Sequence, residues 1–289
     1  MTTRNRRVFL LQIASASTAA TTGLLAAPEA LAGQHHHNDH FEQPSSERAH
    51  GPIRFDHGVA SGDPLADRVI LWTHARRSRT QLPVWLRWEV SLDARFRRIV
   101  SAGWVKASAE TGYTAKADAT GLRPGQKYFY RFRTLLSVSP VGITRTLPAE
   151  GVERVKLAVF SCSNYPAGYF HAYGEAVRAG AEYAGHLGDY IYEYGADGYA
   201  SEDAAELGRT SQPVNEIVTL DDYRRRYAQY RSDPDLKQLH AHLPMIAIWD
   251  DHEIANDTWT DGAENHDEAT EGAFTARVNA ALQAYHEWM

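Results

Sequence analysis

The side chains of Cys162, Asp189, Tyr192, Asp251 and Asn256 each follow one of three short apolar runs, and their types suit metal ions. Asp189 and Tyr192 are three residues apart, so one turn can bring a carboxylate and a phenol to a single ion, and Cys162 can add a thiolate. Phenolate with carboxylate favours a hard trivalent ion such as Fe(III), whereas zinc sites more often use histidines. Asp251 and Asn256 offer oxygen donors to a second, divalent ion, with Ca, Mg or Mn as candidates. Bridging of both ions by Asp189 would make a two-metal hydrolase centre, which binds phosphate, lowers the pKa of a bound water and steadies the leaving oxygen. The chain has no G-x-S-x-G motif, so serine-esterase chemistry is not expected.

The runs that must position these groups are residues 155–160, 183–187 and 245–249, each of a length and composition that reads as a buried strand. The first opens into Ser161-Cys162-Ser163-Asn164, the second into Gly188-Asp189-Tyr190-Ile191-Tyr192-Glu193, and the third into Asp250-Asp251-His252-Glu253 and then Asn256. In α/β sheets the loops at the C-terminal strand ends converge on ligands. Carboxylates gathered there are costly without a counter-charge, and a metal supplies one. Helical spacing over 169–179 places a helix between the first two strands, the order of a βαβ unit. A helix over 220–231, capped near Thr219 or Asp221, turns Tyr223, Tyr227 and Tyr230 to one side. Its arginines, Arg224 to Arg226, read as a solvated face, with contact to an anionic substrate as the alternative. Ser232-Asp233-Pro234-Asp235 restarts a helix toward His240, residues 201–218 read as an irregular insertion, and a long helix occupies 271–289.

Upstream, residues 53–147 show short alternating strands, clearest at 69–73, 84–90 and 127–132, separated by Gly, Asp and Pro turns. This pattern predicts an all-β fibronectin/Ig-like sandwich with a positioning role. Residues 55–64 read as a polar loop of small residues, either a close approach or a tight turn. A linker at 148–152 leads to the second, α/β domain at 153–289.

A chain of 289 residues can hold two domains and a leader. Its net charge of -6 and pI near 6.2 give no basic field for nucleic acid. Arg6-Arg7 before Val8-Phe9-Leu10, an apolar stretch and Ala30-Leu31-Ala32 read as a signal peptide over 1–32. The paired arginines point to twin-arginine export, with an ordinary signal peptide as the alternative. Residues 33–52, including His35, His36, His37 and His40, read as a disordered linker. No later run is long enough for stable membrane insertion. The single cysteine of an exported chain forms no internal disulfide, so Cys162 is a buried spectator, an intermolecular link or a ligand. Its place at a strand end favours the ligand.

Taken in order and spacing, the twin-arginine leader, the 55–73 entry, Ser161-Cys162, Gly188-Asp189-Tyr190-Ile191-Tyr192-Glu193, Tyr230-Arg231-Ser232-Asp233-Pro234-Asp235 and Trp249-Asp250-Asp251-His252-Glu253 resemble the alkaline phosphatase D family. The resemblance implies an extracytoplasmic phosphomonoesterase and phosphodiesterase with a calcineurin-like metallophosphatase core that uses iron and calcium. It implies that Cys162 and Tyr192 bind iron, that Asp189 bridges, that Asn256 and Asp251 serve calcium, and that His252 and Asp250 assist catalysis. The partners it implies are a small phosphoester substrate and the twin-arginine export machinery. Relatives continue past Met289, so the core is expected to be incomplete at its C-terminus. Should the site close within this chain, His171, His186 and Asp261 are the next residues to examine. The competing expectations are a phospholipase D-like phosphodiesterase and a catalytically inactive secreted binding module.

Overall fold

Alternation of buried and exposed residues begins almost at once in the computed structural model, which describes residues 50–289. The signal-peptide and twin-arginine readings, and nearly all of the predicted linker, lie outside the described residues. The first part of the chain forms β1 (Ile53–Arg54), β2 (Val59–Gly62), β3 (Arg68–His74), β4 (Arg76–Arg77), β5 (Val84–Ser91), β6 (Ile99–Ala107), β7 (Thr114–Thr120), β8 (Lys127–Arg133) and β9 (Gly142–Arg145). The second part runs β10 (Leu157–Phe160), α1 (His171–Arg178), β11 (Tyr183–His186), α2 (Leu220–Tyr230), α3 (Pro234–His242), β12 (Pro244–Ala247), α4 (Glu268–Glu271) and α5 (Phe274–Trp288).

An antiparallel sheet ordered β6-β5-β8-β9 packs on β2, β3 and β7, and the two layers share a core that includes Val59, Leu71, Val90, Tyr128 and Phe132. Strands β2, β3 and β7 also belong to a larger sheet. Its order is β10-β11-β12-β2-β3-β7, with β10, β11 and β12 parallel and β12 pairing in parallel with β2 through Pro244↔Ser61 and Met245↔Gly62. One hydrogen-bonded sheet therefore runs from the sandwich into the α/β layer.

The join corrects the reading of 55–64 as a loop, because four of those residues form β2 near the middle of the six-stranded sheet. Gly62 lacks a side chain for a steric reason: a Cβ there would lie 2.9 Å from the Met245 carbonyl oxygen. Such a close backbone approach leaves no room for a side chain. Strand alternation then divides neighbouring residues between two cores. Val59 and Leu71 face the sandwich core, whereas Ala60 and Trp72 join the core beneath the helices. The Trp72 indole N–H donates to the Glu287 carbonyl at 2.8 Å, fixing the end of α5 to β3.

The helices form where their caps allow. Thr219 and Asp222 close a reciprocal capping box on α2, and Asp233 caps α3 with Pro234 at its first turn. Tyr223, Tyr227 and Tyr230 are all buried, as the helical spacing predicts. α1 packs on α3 and α2 on α5, covering one face of the parallel strands. The other face is apolar and open: Val159 and Ile246, abreast in the register with Gly185 between them, are 54% and 47% exposed. Leu157 and Ile248 are also exposed. Among the described residues, no helix is long and apolar enough to cross a membrane.

Candidate metal centre

Each parallel strand delivers its polar residues through a sharp turn. Cys162 after β10 and Asp189 after β11 both adopt left-handed backbone conformations, with φ of 56° and 53°. That conformation is unfavourable for a side chain bearing Cβ and persists where surrounding contacts fix it. Here the two turns fix each other: Cys162 N–H donates to the Gly188 carbonyl at 3.2 Å, and Ser163 N–H to the Asp189 carbonyl at 2.8 Å. Beneath them, His186 Nδ1 accepts from Gly188 N–H at 3.3 Å, while its Nε2 lies 3.1 Å from Ser163 Oγ and 3.0 Å from the Tyr173 hydroxyl. His186 is thus a buried brace behind the turns.

Ligand atoms of Asp189, Asp251 and His252 all lie within 4.8 Å of one another. Asp189 is buried, and its Oδ1 has no hydrogen-bond partner among the described residues. A buried carboxylate oxygen left in that state is costly, and a cation relieves the cost. The Tyr192 hydroxyl donates to Asp189 Oδ2 at 3.2 Å, and the Cys162 thiol stands close enough to both side chains to perturb their ionisation. Burial pushes the Asp189 carboxyl up, with Asp251 adding to the rise, against the pull of His252. Burial, followed by the charges of Asp189 and Cys162, also raises the Tyr192 phenol. Both shifts disfavour anions that a metal would stabilise, so carboxylate, phenol and thiol together fit a hard cation with one softer donor.

The third strand end is a compact turn. Asp251 Oδ1 accepts from His252 N–H at 2.9 Å and its Oδ2 from Asp257 N–H at 2.5 Å. The half-buried His252 donates from Nδ1 to Glu193 Oε2 at 2.7 Å, leaving Nε2 as its remaining ligand atom. Burial alone would lower the His252 pKa, but Glu193, then Asp189 and Asp251, outweigh it and raise it. The imidazole lies over Tyr192, with ring centroids 4.2 Å apart. Asn256 is anchored through its backbone N–H to Glu193 Oε1 at 2.8 Å and through its amide to Glu264.

The other sequence candidates lie elsewhere or serve otherwise. Asp250 is exposed and outside the group of three; its Oδ1 accepts from Asp251 N–H at 3.1 Å, so it shapes the turn. Exposed His171 pairs with Asp235 at 3.2 Å, and Asp261 is exposed. Cys162 is exposed, against the option of a buried spectator, because the turn lifts it off the end of β10.

Sequence reasoning gave no role to two buried carboxylates that organise the site. Glu193, fully buried, holds His252, Asn256 and Asn265. Glu253 accepts backbone N–H bonds from Asp189 at 3.1 Å, Tyr190 at 2.6 Å and Asp250 at 2.8 Å, and burial pushes its pKa up to about 7 despite them. Their one sequence signal is position, each standing at the end of a polar strand-end motif.

An α/β layer with an acidic, phenol- and thiol-bearing centre at its parallel strand ends, continuous with a β-sandwich, is therefore the class of protein that fold and site define. Residues 157–289 match the PhoD-like phosphatase family, and residues 42–148 match the PhoD-like phosphatase N-terminal domain. Alkaline phosphatase D of Bacillus subtilis (strain 168) is 42% identical over 245 residues, covering 81% of this chain and 41% of that protein. A solved structure described as "Structure of PhoD" superposes with a TM-score of 0.75 at 42% identity, covering 81% of this chain and 46% of that one. The chain belongs to the PhoD-like phosphatase family, and it spans less than half the length of the curated relative it matches.

Proposed function

We propose that the protein is a metal-dependent phosphoester hydrolase of the alkaline phosphatase type, acting outside the cytoplasm after twin-arginine export. The observation that carries this reading is buried Asp189, whose Oδ1 is unpartnered and which has a ligand atom within 4.8 Å of those of Asp251 and His252, in a chain 42% identical to an alkaline phosphatase. Cys162 and Tyr192 would hold Fe(III), Asp189 would stand between two ions, and Asp251 with Asn256 would hold Ca(II). Such a pair of cations supplies charge for phosphoryl oxygens and acidity for a bound water. The chain's own part is positioning. His252, oriented by Glu193, presents Nε2 for a hydrogen bond to the phosphoryl group, and Asp250 keeps the Asp251 turn in shape. The sandwich, with three strands opposing four in a fibronectin-like arrangement, braces the sheet that carries the site. The parallel strands, with the open face bearing Val159 and Ile246, form the calcineurin-like part of this reading.

Iron content and visible spectra test the assignment. Tyr192→Phe keeps the ring and removes the oxygen donor, and should abolish a visible tyrosinate-to-Fe(III) band. Cys162→Ser should lower iron per chain while the fold persists. A native band that survives Tyr192→Phe unchanged, with full iron in Cys162→Ser, would refute it.

A further inference from the structure

Two sequence features remain outside the metal centre, Arg224 and Arg225 of α2 and His57 of the turn before β2, and they meet at one cavity. Its volume is about 620 Å³, and Arg76, Arg77, Arg79, Arg224 and Arg225 line it against one carboxylate, Asp221. None of the strand-end residues lines it. Part of this charge is balanced: Arg76 reaches Asp56 at 3.5 Å, Arg224 grips Glu287 through two bonds of 2.7 and 2.6 Å, and Arg225 lies 3.7 Å from Asp221. Exposed Arg79 adds a guanidinium that has no carboxylate partner among the described residues.

The same wall holds unused polar atoms. His57 Nδ1, His74 Nδ1, Thr80 Oγ1 and Trp288 Nε1 belong to lining residues, and each is buried without a hydrogen-bond partner. The two imidazoles pack edge to face 4.8 Å apart, and Trp288 stacks on His74 at 5.5 Å. Burial, then His74 and Arg231, lowers His57 to about 3; burial, then Arg76, lowers His74 to about 4. Both rings are therefore neutral at pH 7 with one N–H each; that of His74 is engaged by the Gly112 backbone, so the His57 N–H and the indole are the donors left for the cavity. Behind them, buried Arg231 lies 4.0 Å over the Trp72 ring, with Nε and Nη2 unpartnered. A wall rich in donors, poor in carboxylates and backed by a buried guanidinium selects for an oxyanion.

We propose that this cavity is a second anion site, separate from the metal centre, which binds a phosphate-type oxyanion, free or carried on a larger molecule. Arginine forks match tetrahedral oxyanions in geometry, and the neutral hydroxyl, indole and imidazole donors complete its coordination without adding charge.

The test is site-specific. In the full chain, the indole N–H resonance of Trp288, assigned with Trp288→Phe, is followed by NMR as orthophosphate is added at constant ionic strength. It should shift saturably in the wild type and equally in Asp251→Asn. Combining Arg79→Glu, a change at an exposed residue, with Thr80→Val should weaken the response by roughly tenfold, as loss of charge-assisted hydrogen bonding implies. A non-hydrolysable butylphosphonate that gives the same shift identifies a carried phosphoryl group as a ligand; a response to orthophosphate alone identifies the free anion. Absence of a saturable shift, an equal shift with acetate, or a response lost in Asp251→Asn and retained in the Arg79→Glu, Thr80→Val variant would each overturn the proposal.

Discussion

The Asp189 backbone N–H donates to Glu253 Oε2 at 3.1 Å, so the carboxylate following the third parallel strand grips the residue following the second. The same side chain takes Tyr190 and Asp250 N–H, locking two strand ends together. Glu253→Gln leaves one carbonyl oxygen for three donors. It should destabilise the chain by about 1–3 kcal/mol, the cost of an orphaned buried donor. Asp261→Asn, at an exposed position, should stay within about 0.5 kcal/mol. Urea denaturation measures both, and equal midpoints would remove Glu253 from the account.

Glu193 does for the histidine what Glu253 does for the turn. Its Oε2 fixes His252 Nδ1 at 2.7 Å and its Oε1 the Asn256 N–H at 2.8 Å. Glu193→Gln should lower metal affinity by roughly 10- to 100-fold, the usual effect of removing an outer hydrogen-bond partner of a ligand. Calorimetric titration with the metal reads this directly. Unchanged affinity would mean that Glu193, through Asn256 and His252, does not order the metal-binding residues.

Most of the site could be read from the chain because strand-end motifs are local: a short apolar run predicts a strand, and the next residues must lie at its end. Cys162, Asp189 and Tyr192 come together in this way. The roles of Glu193 and Glu253 depend on contacts about sixty residues away, which no periodicity reports. β2 was hidden for a different reason. Its Gly62 has no side chain because Met245 approaches, and a run of small residues such as Ala60, Ser61 and Gly62 reads as a loop until the neighbouring strand is known. Continuity of one sheet across residues 148–152 likewise follows from the β2–β12 pairing, a long-range relation.

The His57 and His74 pair predicts how stability depends on pH. Both rings have folded pKa values depressed to about 3 and about 4, chiefly by burial, whereas an unfolded histidine titrates near 6.5. Below pH 6.5 the unfolded chain takes up protons that the folded chain refuses, so the stability these rings contribute is present above 6.5 and lost as pH falls toward 4 and then 3. In phosphate-free buffer the urea midpoint should therefore drop over that window, and the drop should be shallower in a His57→Gln, His74→Gln variant. Parallel pH profiles for the two proteins would contradict the assignment of neutral rings.

Metal stoichiometry on a matched pair of proteins decides whether the strand-end group around Asp189 is a metal centre. Wild type and Asp189→Asn, both shown folded by circular dichroism, are equilibrated with iron and calcium, desalted and measured for metal per chain. The wild type should retain metal and the variant should lose most of it, because the unpartnered carboxylate oxygen becomes a neutral amide. Equal retention by the two proteins, or none by either, would contradict the account.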